Sequence, residues 1–385
     1  MPQRQTPKVL MLISGGETGG SRKHVLTLLK ELSSQIPIHL VCLIQGPVYE
    51  QAMAAGLPVS LVEQASRRDM RVVRELSRRI AEEGYTIFHS HGGRANFVAA
   101  TLKKERQKTG GNGMPLRFVT TIHSDIHQDY IHQPWWKRLL FTRLNLWALK
   151  RFDHYIAVSR TFAQQLTAQG FPAERISVVY NGIDLNDPAP AYSRQQLSEM
   201  AGLTLRPEDR LLIMVGRLHP VKDIPLFLKS LSLLLKENRP VKALVVGDGP
   251  ERESLQQLVY SLDLASHVRL MGFREDVEAL LASADLSVLT SRSESFPYVI
   301  LESIKAGTPV VATRVGGIPD LLPEECLVEP GDVAGLTATL RALFAHPERL
   351  RQLSEQLQRR VREEFSLQTF TARHMAIYRD ILKGA

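Results

Sequence analysis

Apolar residues fall along this chain in short unbroken runs, separated by longer stretches in which they recur every three or four positions. The runs at 8–13, 37–44, 58–62, 86–90, 117–122 and 154–158 predict strands in the first half, and those at 211–216, 241–247, 267–272, 285–290 and 309–313 repeat the rhythm in the second. Continuous rather than alternating apolar runs are what parallel strands buried on both faces require. The stretches between, such as HVLTLLKEL at 24–32 and PLFLKSLSLLLKE at 225–237, carry apolar residues at helical spacing. Two doubly wound α/β sheets follow, each with a crevice at the C-terminal ends of its strands. Asn, Gly, Asp and Pro cluster in NGIDLNDPAPAYS (181–193), which places a domain junction there and divides the chain into 1–185 and 186–364. The segment at 365–382 reads as an amphipathic helix able to dock on either domain.

Composition narrows the class. A chain of 385 residues with 44% hydrophobic content fits two packed domains and excludes a disordered polymer. No apolar stretch approaches the roughly 20 residues that span a bilayer, and VLMLIS is too short and too soon followed by glycine for a signal peptide. Cys42 and Cys326 lie in separate apolar runs and read as buried thiols. A soluble, cytoplasmic protein is the expectation. The net charge of +8 is uneven, with 24 Lys/Arg against 14 Asp/Glu in residues 1–185 and 24 against 26 thereafter. The first half therefore faces something anionic or has a basic surface, and nucleic acid, a phospholipid surface and a phosphorylated acceptor all remain open.

Candidate chemistry gathers at three places. SGGETGGSRKHV (14–25) links the first strand to the first helix, where helix N–H groups attract anions. Its spacing is neither G-x-G-x-x-G nor a P-loop, and no acidic residue ends the second strand, so NAD and ATP are disfavoured. In SRSESFPYVILESIKAGTPVVAT (291–313), Glu294 precedes Pro297 at a helix start and Glu302 lies inside an apolar helical turn. The Glu302 carboxylate matches the paired hydroxyls of a ribose, and it equally fits an exposed helix face paired with Lys305. In VGRLHPVKD (215–223), Arg217 and Lys222 follow the first strand of the second domain, where two cations can hold a diphosphate. No D-x-D and no His/Cys ligand cluster is legible, so no metal is expected.

Together, Glu294 and Glu302, VGRL with its following Lys, AGTPVVAT, GGIPDLL (316–322), GGSRKHV, IFHSHGG (87–93) and VVYNGID (178–184) resemble the retaining GT-B glycosyltransferases of the group 1, or family 4, class. The resemblance spans essentially the whole chain. It implies two Rossmann-like domains facing a central cleft, with residues 365–385 packed on the N-terminal, acceptor-binding half and the nucleotide sugar held by the C-terminal half. It implies that Glu302 holds the ribose, that Arg217 and Lys222 clamp the diphosphate, and that Glu294 lies near the sugar hydroxyls, assisted by backbone from Phe296, Pro297, Tyr298 and Val299. Gly19 and Gly20 would approach the phosphates, and the base would lie near Gly272, Phe273 and Arg274. The family's N-terminal histidine most resembles His123, with His91 as runner-up among His89, His91, His123, His127 and His132. Ser295 departs from the glycine that many relatives carry after the first glutamate.

The implied reaction is hexosyl transfer with retention from a nucleotide-diphosphate sugar, UDP favoured, to a hydroxyl, without metal or other cofactor. YIHQPWWKRLLFTRLNLWALKRF, between Asp129 and Asp153, holds all three tryptophans, Lys137, Arg138, Arg143, Lys150 and Arg151, and no acid. That fits an anionic membrane surface and a lipid-linked, cell-envelope acceptor, and it also fits an ordinary helix with its cations outward. RRDMRVVRELSRR (67–79) adds a second basic run. A nucleotide-sugar epimerase of the same fold is the enzymatic alternative, and a basic nucleic-acid-binding protein is a distant one.

Overall fold

The computed structural model describes residues 6–66, 69–108, 115–124, 134–186 and 190–383. These form two compact units, residues 1–182 with 367–385 and residues 183–366.

Unit 1 runs β1 (Val9–Ile13), α1 (Gly20–Ser33), β2 (Ile38–Cys42), α2 (Pro47–Ala54), β3 (Val59–Leu61), α3 (Arg71–Glu83), β4 (Ile87–His91), α4 (Gly93–Lys108), β5 (Arg117–Ile122), α5 (Trp135–Leu149), β6 (His154–Ala157), α6 (Arg160–Ala168) and β7 (Ile176–Val178). Its strands form a seven-stranded sheet in the order β3-β2-β1-β4-β5-β6-β7, and each neighbouring pair is parallel. The strand order reverses between β1 and β4, the switch point at which such sheets open a crevice.

Strand alternation decides what covers each face. Val9, Met11 and Ile13 of β1 pack on one side with Val25, Leu28 and Leu29 of α1, while Leu10 and Leu12 face the other side with Val72 and Leu76 of α3. The first face has a second cover, the helix numbered last in the chain, which contributes Phe370, Met375 and Tyr378.

Unit 2 runs α7 (Arg194–Ala201), β8 (Arg210–Val215), α8 (Ile224–Lys236), β9 (Val241–Val246), α9 (Arg252–Ser261), β10 (Val268–Gly272), α10 (Val277–Ala282), β11 (Leu286–Leu289), α11 (Tyr298–Lys305), β12 (Val310–Thr313), β13 (Leu327–Val328), α12 (Val333–Ala345) and α13 (Pro347–Glu364), after which α14 (Leu367–Lys383) returns to unit 1. Its six strands lie in the order β10-β9-β8-β11-β12-β13, again parallel, with the reversal between β8 and β11.

The expected strands all form, and two unexpected ones join them. β7 and β13, of three and two residues, lie at the two sheet edges. The apolar run that contains β7 reads in the sequence as the approach to the junction, and the structure makes part of it an edge strand.

Candidate functional site

Each crevice is built by loops that leave the two strands flanking a switch point. In unit 2 these are the segment after β8, holding Arg217 and Lys222, and the segment after β11, holding Glu294. The two are tied together by backbone and side chain. Arg292 N–H donates to the Val221 carbonyl at 2.8 Å, Thr290 Oγ1 donates to the carbonyls of Lys222 and Asp223 at 3.0 Å each, and Arg292 Nε donates to Asp223 Oδ2 at 2.9 Å. The Lys222 ammonium is thereby set against the Glu294 carboxylate, with which it forms a close ion pair. Ser291 Oγ donates to the same carboxylate at 2.6 Å. Arg217, by contrast, is exposed and forms no ion pair among the described residues.

The GGIPDLL segment explains its own first glycine. Gly316 has φ 54°, and a Cβ there would stand 1.6 Å from the Glu294 carbonyl oxygen. Gly317 N–H then donates to the Ser295 carbonyl at 2.7 Å. This brace shapes the Glu294–Ser295 turn from behind and works with serine at 295.

α11 begins at Tyr298, preceded by Pro297 in extended conformation. Phe296 is buried against Phe365, with ring centroids 5.6 Å apart, and Tyr298 is buried as well. Both rings are thus packed into the core. Glu302 lies half-buried on α11. Lys305, the alternative partner for Glu302, instead reaches Glu278 of α10 at 3.4 Å. After β10, the Arg274 guanidinium is committed to Asp276, at 2.8 and 2.6 Å, which also accepts from the Tyr192 hydroxyl. The Phe273 ring is left exposed beside it.

In unit 1 the same construction gathers histidines. Alternation along β4 points His89 and His91 to the face covered by α1 and α14. His123 directly follows β5, and His24 sits one turn into α1, so these side chains converge. His91 Nδ1 lies 3.1 Å from His123 Nε2, and the His24 ring meets that of His123 edge-on at 4.7 Å between centroids. His24 Nδ1 is bonded to Asn181 Oδ1 at 2.8 Å. His89 is saturated, with Nδ1 on the Tyr378 hydroxyl at 2.7 Å and Nε2 on Thr121 Oγ1 at 2.8 Å. Burial holds His24 down to about 4 and His374 down to about 3, and it pushes His89, His91 and His123 well below the ordinary imidazole value. The cluster is therefore neutral at pH 7.

The sequence singles out His123 with His91 behind it, and the fold brings both together. It also brings His24, to which the sequence reading gives no role and whose only signal is its place after the glycine loop at a switch point. The absence of a legible histidine cluster is thus corrected, because three segments far apart in sequence assemble one. His127 and His132, with Arg67 and Arg68, lie outside the described residues. Gly19 caps α1 with φ 76°, and nothing among the described residues stands within 4 Å of where its Cβ would be. Conformation accounts for that glycine, and Gly20 opens the helix exposed beside it.

The basic segments separate on inspection. In α3, Arg78 and Arg79 pair with Glu75 and Glu82 of the same helix, and Arg71 pairs with Asp69, so much of this run is neutralised locally. In α5, Trp147 is held by the Arg151 guanidinium, 3.8 Å from its ring centroid, and by Phe97. Trp135, Trp136, Leu139, Leu140 and Leu144 are all exposed, the first at 79%.

Residues 196–360 match the family described as Glycosyl transferases group 1, and residues 18–187 match the one described as Glycosyltransferase Family 4. The chain belongs to the group 1 / family 4 glycosyltransferases. This glycosyltransferase is 27% identical over 353 residues to the N-acetyl-alpha-D-glucosaminyl L-malate synthase of Bacillus anthracis, covering 91% of this chain and 84% of that one. It is 27% identical over 319 residues, 78% of each chain, to the UDP-Gal:alpha-D-GlcNAc-diphosphoundecaprenol alpha-1,3-galactosyltransferase of Escherichia coli. Among solved structures it superposes on Anabaena Alr3699/HepE, crystallised with UDP, with a TM-score of 0.80 at 22% identity over 96% of this chain and 99% of that one. The glycosyltransferase has the GT-B fold.

Proposed function

We propose that this glycosyltransferase moves a sugar from a nucleotide diphosphate, UDP foremost, to a hydroxyl of a lipid-linked acceptor, with retention at the anomeric carbon and without a metal at the diphosphate. The observation that carries the donor side is the Lys222–Glu294 pair at the unit 2 switch point, next to the exposed Arg217. Arg217 and Lys222 supply the positive charge that a departing diphosphate needs, in place of a divalent cation. As the phosphates draw on Lys222, the Glu294 carboxylate is released toward the sugar hydroxyls. Glu302 holds the ribose, and the backbone N–H groups at the start of α11 add donors. His123 is assigned to the transferred sugar, and the neutral state of its ring lets it accept or donate a hydrogen bond without adding charge. The Gly19–Gly20 backbone is assigned to the phosphates. The nucleobase is assigned to the stretch from Gly272 to Arg274, where Phe273 offers an open ring face and the Arg274 side chain is engaged elsewhere.

Two relatives support parts of this reading. Anabaena HepE was crystallised with UDP-glucose, and the E. coli relative is named for a UDP-sugar donor and a diphosphoundecaprenol acceptor. The exposed apolar stripe of α5, with Lys137 and Arg143 along it, is the feature that favours a membrane-borne acceptor. No helix among the described residues is long and apolar enough to cross a membrane, so the contact proposed is peripheral.

Thermal unfolding of the wild type and Glu302→Ala with UDP-, GDP- and ADP-sugars in EDTA tests the donor assignment. Ligand at about 100 times its Kd adds roughly 2.7 kcal/mol, a shift of several degrees. A shift with UDP-sugar that Glu302→Ala abolishes is expected. No shift with any nucleotide sugar overturns the assignment.

A further inference from the structure

We propose that His24, His91 and His123 form a binding site for one borderline divalent cation, Zn2+ foremost, separate from the donor-diphosphate site. Each offers a ring nitrogen, and these three atoms lie within 4.8 Å of one another. Nitrogens sharing a tetrahedral zinc at 2.0–2.1 Å stand about 3.3 Å apart. The His91 Nδ1 to His123 Nε2 separation, 3.1 Å, is already of that size. Bringing all three to that spacing requires the rings to move and the proton shared by His91 and His123 to leave their bond.

Two further observations point the same way. His24 is fully buried, yet its Nε2 has no hydrogen-bond partner among the described residues. Buried polar atoms in native proteins are nearly always paired, and an exception aimed into such a cluster calls for a ligand. The bond between His24 Nδ1 and Asn181 Oδ1 fixes the tautomer with the lone pair on Nε2, as the outer partners of metal-bound imidazoles do. His89, beside the cluster, has both nitrogens satisfied and is excluded as a ligand, while the Nε2 of buried His374 is also unpartnered but its ring is not among the three that converge.

The donor set selects the ion. Three imidazoles with no carboxylate among them suit zinc, copper, nickel or cobalt and reject magnesium and calcium. His123 is the most exposed of the three and leaves the ion's fourth position open. Because His123 is also assigned to the transferred sugar, zinc occupancy and transfer exclude each other, and zinc inhibits reversibly.

The test uses the full chain with any purification tag removed, stripped with EDTA, dialysed and titrated with ZnCl2 by calorimetry in the absence of sugars. Co2+ serves as an optical probe of tetrahedral nitrogen coordination. One ion per chain is expected. His24→Gln and His123→Gln each weaken binding at least tenfold, Asn181→Ala weakens it about tenfold, and the exposed His346→Gln leaves it unchanged. Should His24→Gln fail to fold by circular dichroism, the half-buried His123→Gln decides. No 1:1 complex at about 100 µM zinc, or one that folded His24→Gln and His123→Gln both retain, overturns the proposal. These readouts involve no donor or acceptor, so they stand whether or not the donor assignments hold.

Discussion

The Lys222 ammonium and the Glu294 carboxylate are ion-paired across the switch point of unit 2, although 72 residues separate them in the chain. Both side chains are largely shielded, at 18% and 11% exposure, and the pair is anchored by Ser291 and by the backbone bridge from Arg292 to Val221. Removing one partner from such a pair leaves the other charge shielded and uncompensated. Lys222→Ala is expected to lower kcat at least a hundredfold, a loss in the range seen when one transition-state donor is removed. Lys229→Ala, exposed on α8, is expected to stay within twofold. Steady-state rates with UDP-sugar compare them, and equal effects would remove Lys222 from the diphosphate.

Gly316→Ala tests the brace behind Glu294 without touching a charge. A Cβ overlapping the Glu294 carbonyl forces the turn to shift, and φ 54° is costly for alanine. Misplacement by about an ångström costs on the order of a hundredfold in rate. The expected outcome is a loss of that size in kcat/KM, with circular dichroism unchanged and Tm lowered by several degrees. Retained activity would show that the turn is not held from this side.

The buried histidines of unit 1 set an acid limit. His24, at about 4, and His374, at about 3, lie below the ordinary value of 6.5. Around them stand the imidazoles of His89, His91 and His123, the Tyr378 phenol and the Asn181 amide. The unfolded chain binds protons there that the folded chain excludes, so their contribution to stability is complete above pH 6.5 and is lost as pH falls toward 4. Each group removes up to about 1.4 kcal/mol per pH unit across that interval. Tm measured from pH 7.5 to 4.5 in EDTA should fall steeply below pH 6.5, and the fall should be shallower in His374→Phe. A flat profile would mean that the cluster is solvated.

The exposed face of α5 has a direct readout. Trp135→Ala with Trp136→Ala is expected to abolish cosedimentation with vesicles rich in anionic lipid while leaving Tm within about a degree. Raising salt should weaken binding of the wild type, since each Lys or Arg near the surface contributes about 1 kcal/mol through a screened field. Binding that survives the double substitution would move the membrane contact to another surface.

Both thiols should be silent until the chain unfolds. Cys42 and Cys326 are buried, and burial pushes each up to about 12, so neither carries appreciable thiolate at pH 8. Ellman's reagent is expected to label neither residue in buffer and both in guanidinium chloride.

Much of this could be read from the chain because strands buried on both faces announce themselves as unbroken apolar runs, and residues that directly follow them must lie at the crevice mouths. The positions of Arg217, Lys222 and Glu294 after β8 and β11 were legible for that reason. β7 and β13 were not, because two or three residues at a sheet edge leave no pattern distinct from a loop. His24 was hidden differently. Helical spacing shows that the residue lies one turn into α1, but the face it presents to β4 and β5 depends on a strand order that no local signal encodes. The commitment of Arg274 to Asp276 likewise arises from side-chain geometry at short range.

α14 carries Phe370, Met375 and Tyr378 into the core built on β1, and Tyr378 is bonded to His89. A ribosome releases these residues only after all of 183–366 has emerged. During synthesis, unit 1 must therefore wait with one face of its sheet partly uncovered while unit 2 folds, and the domain made first is the one completed last.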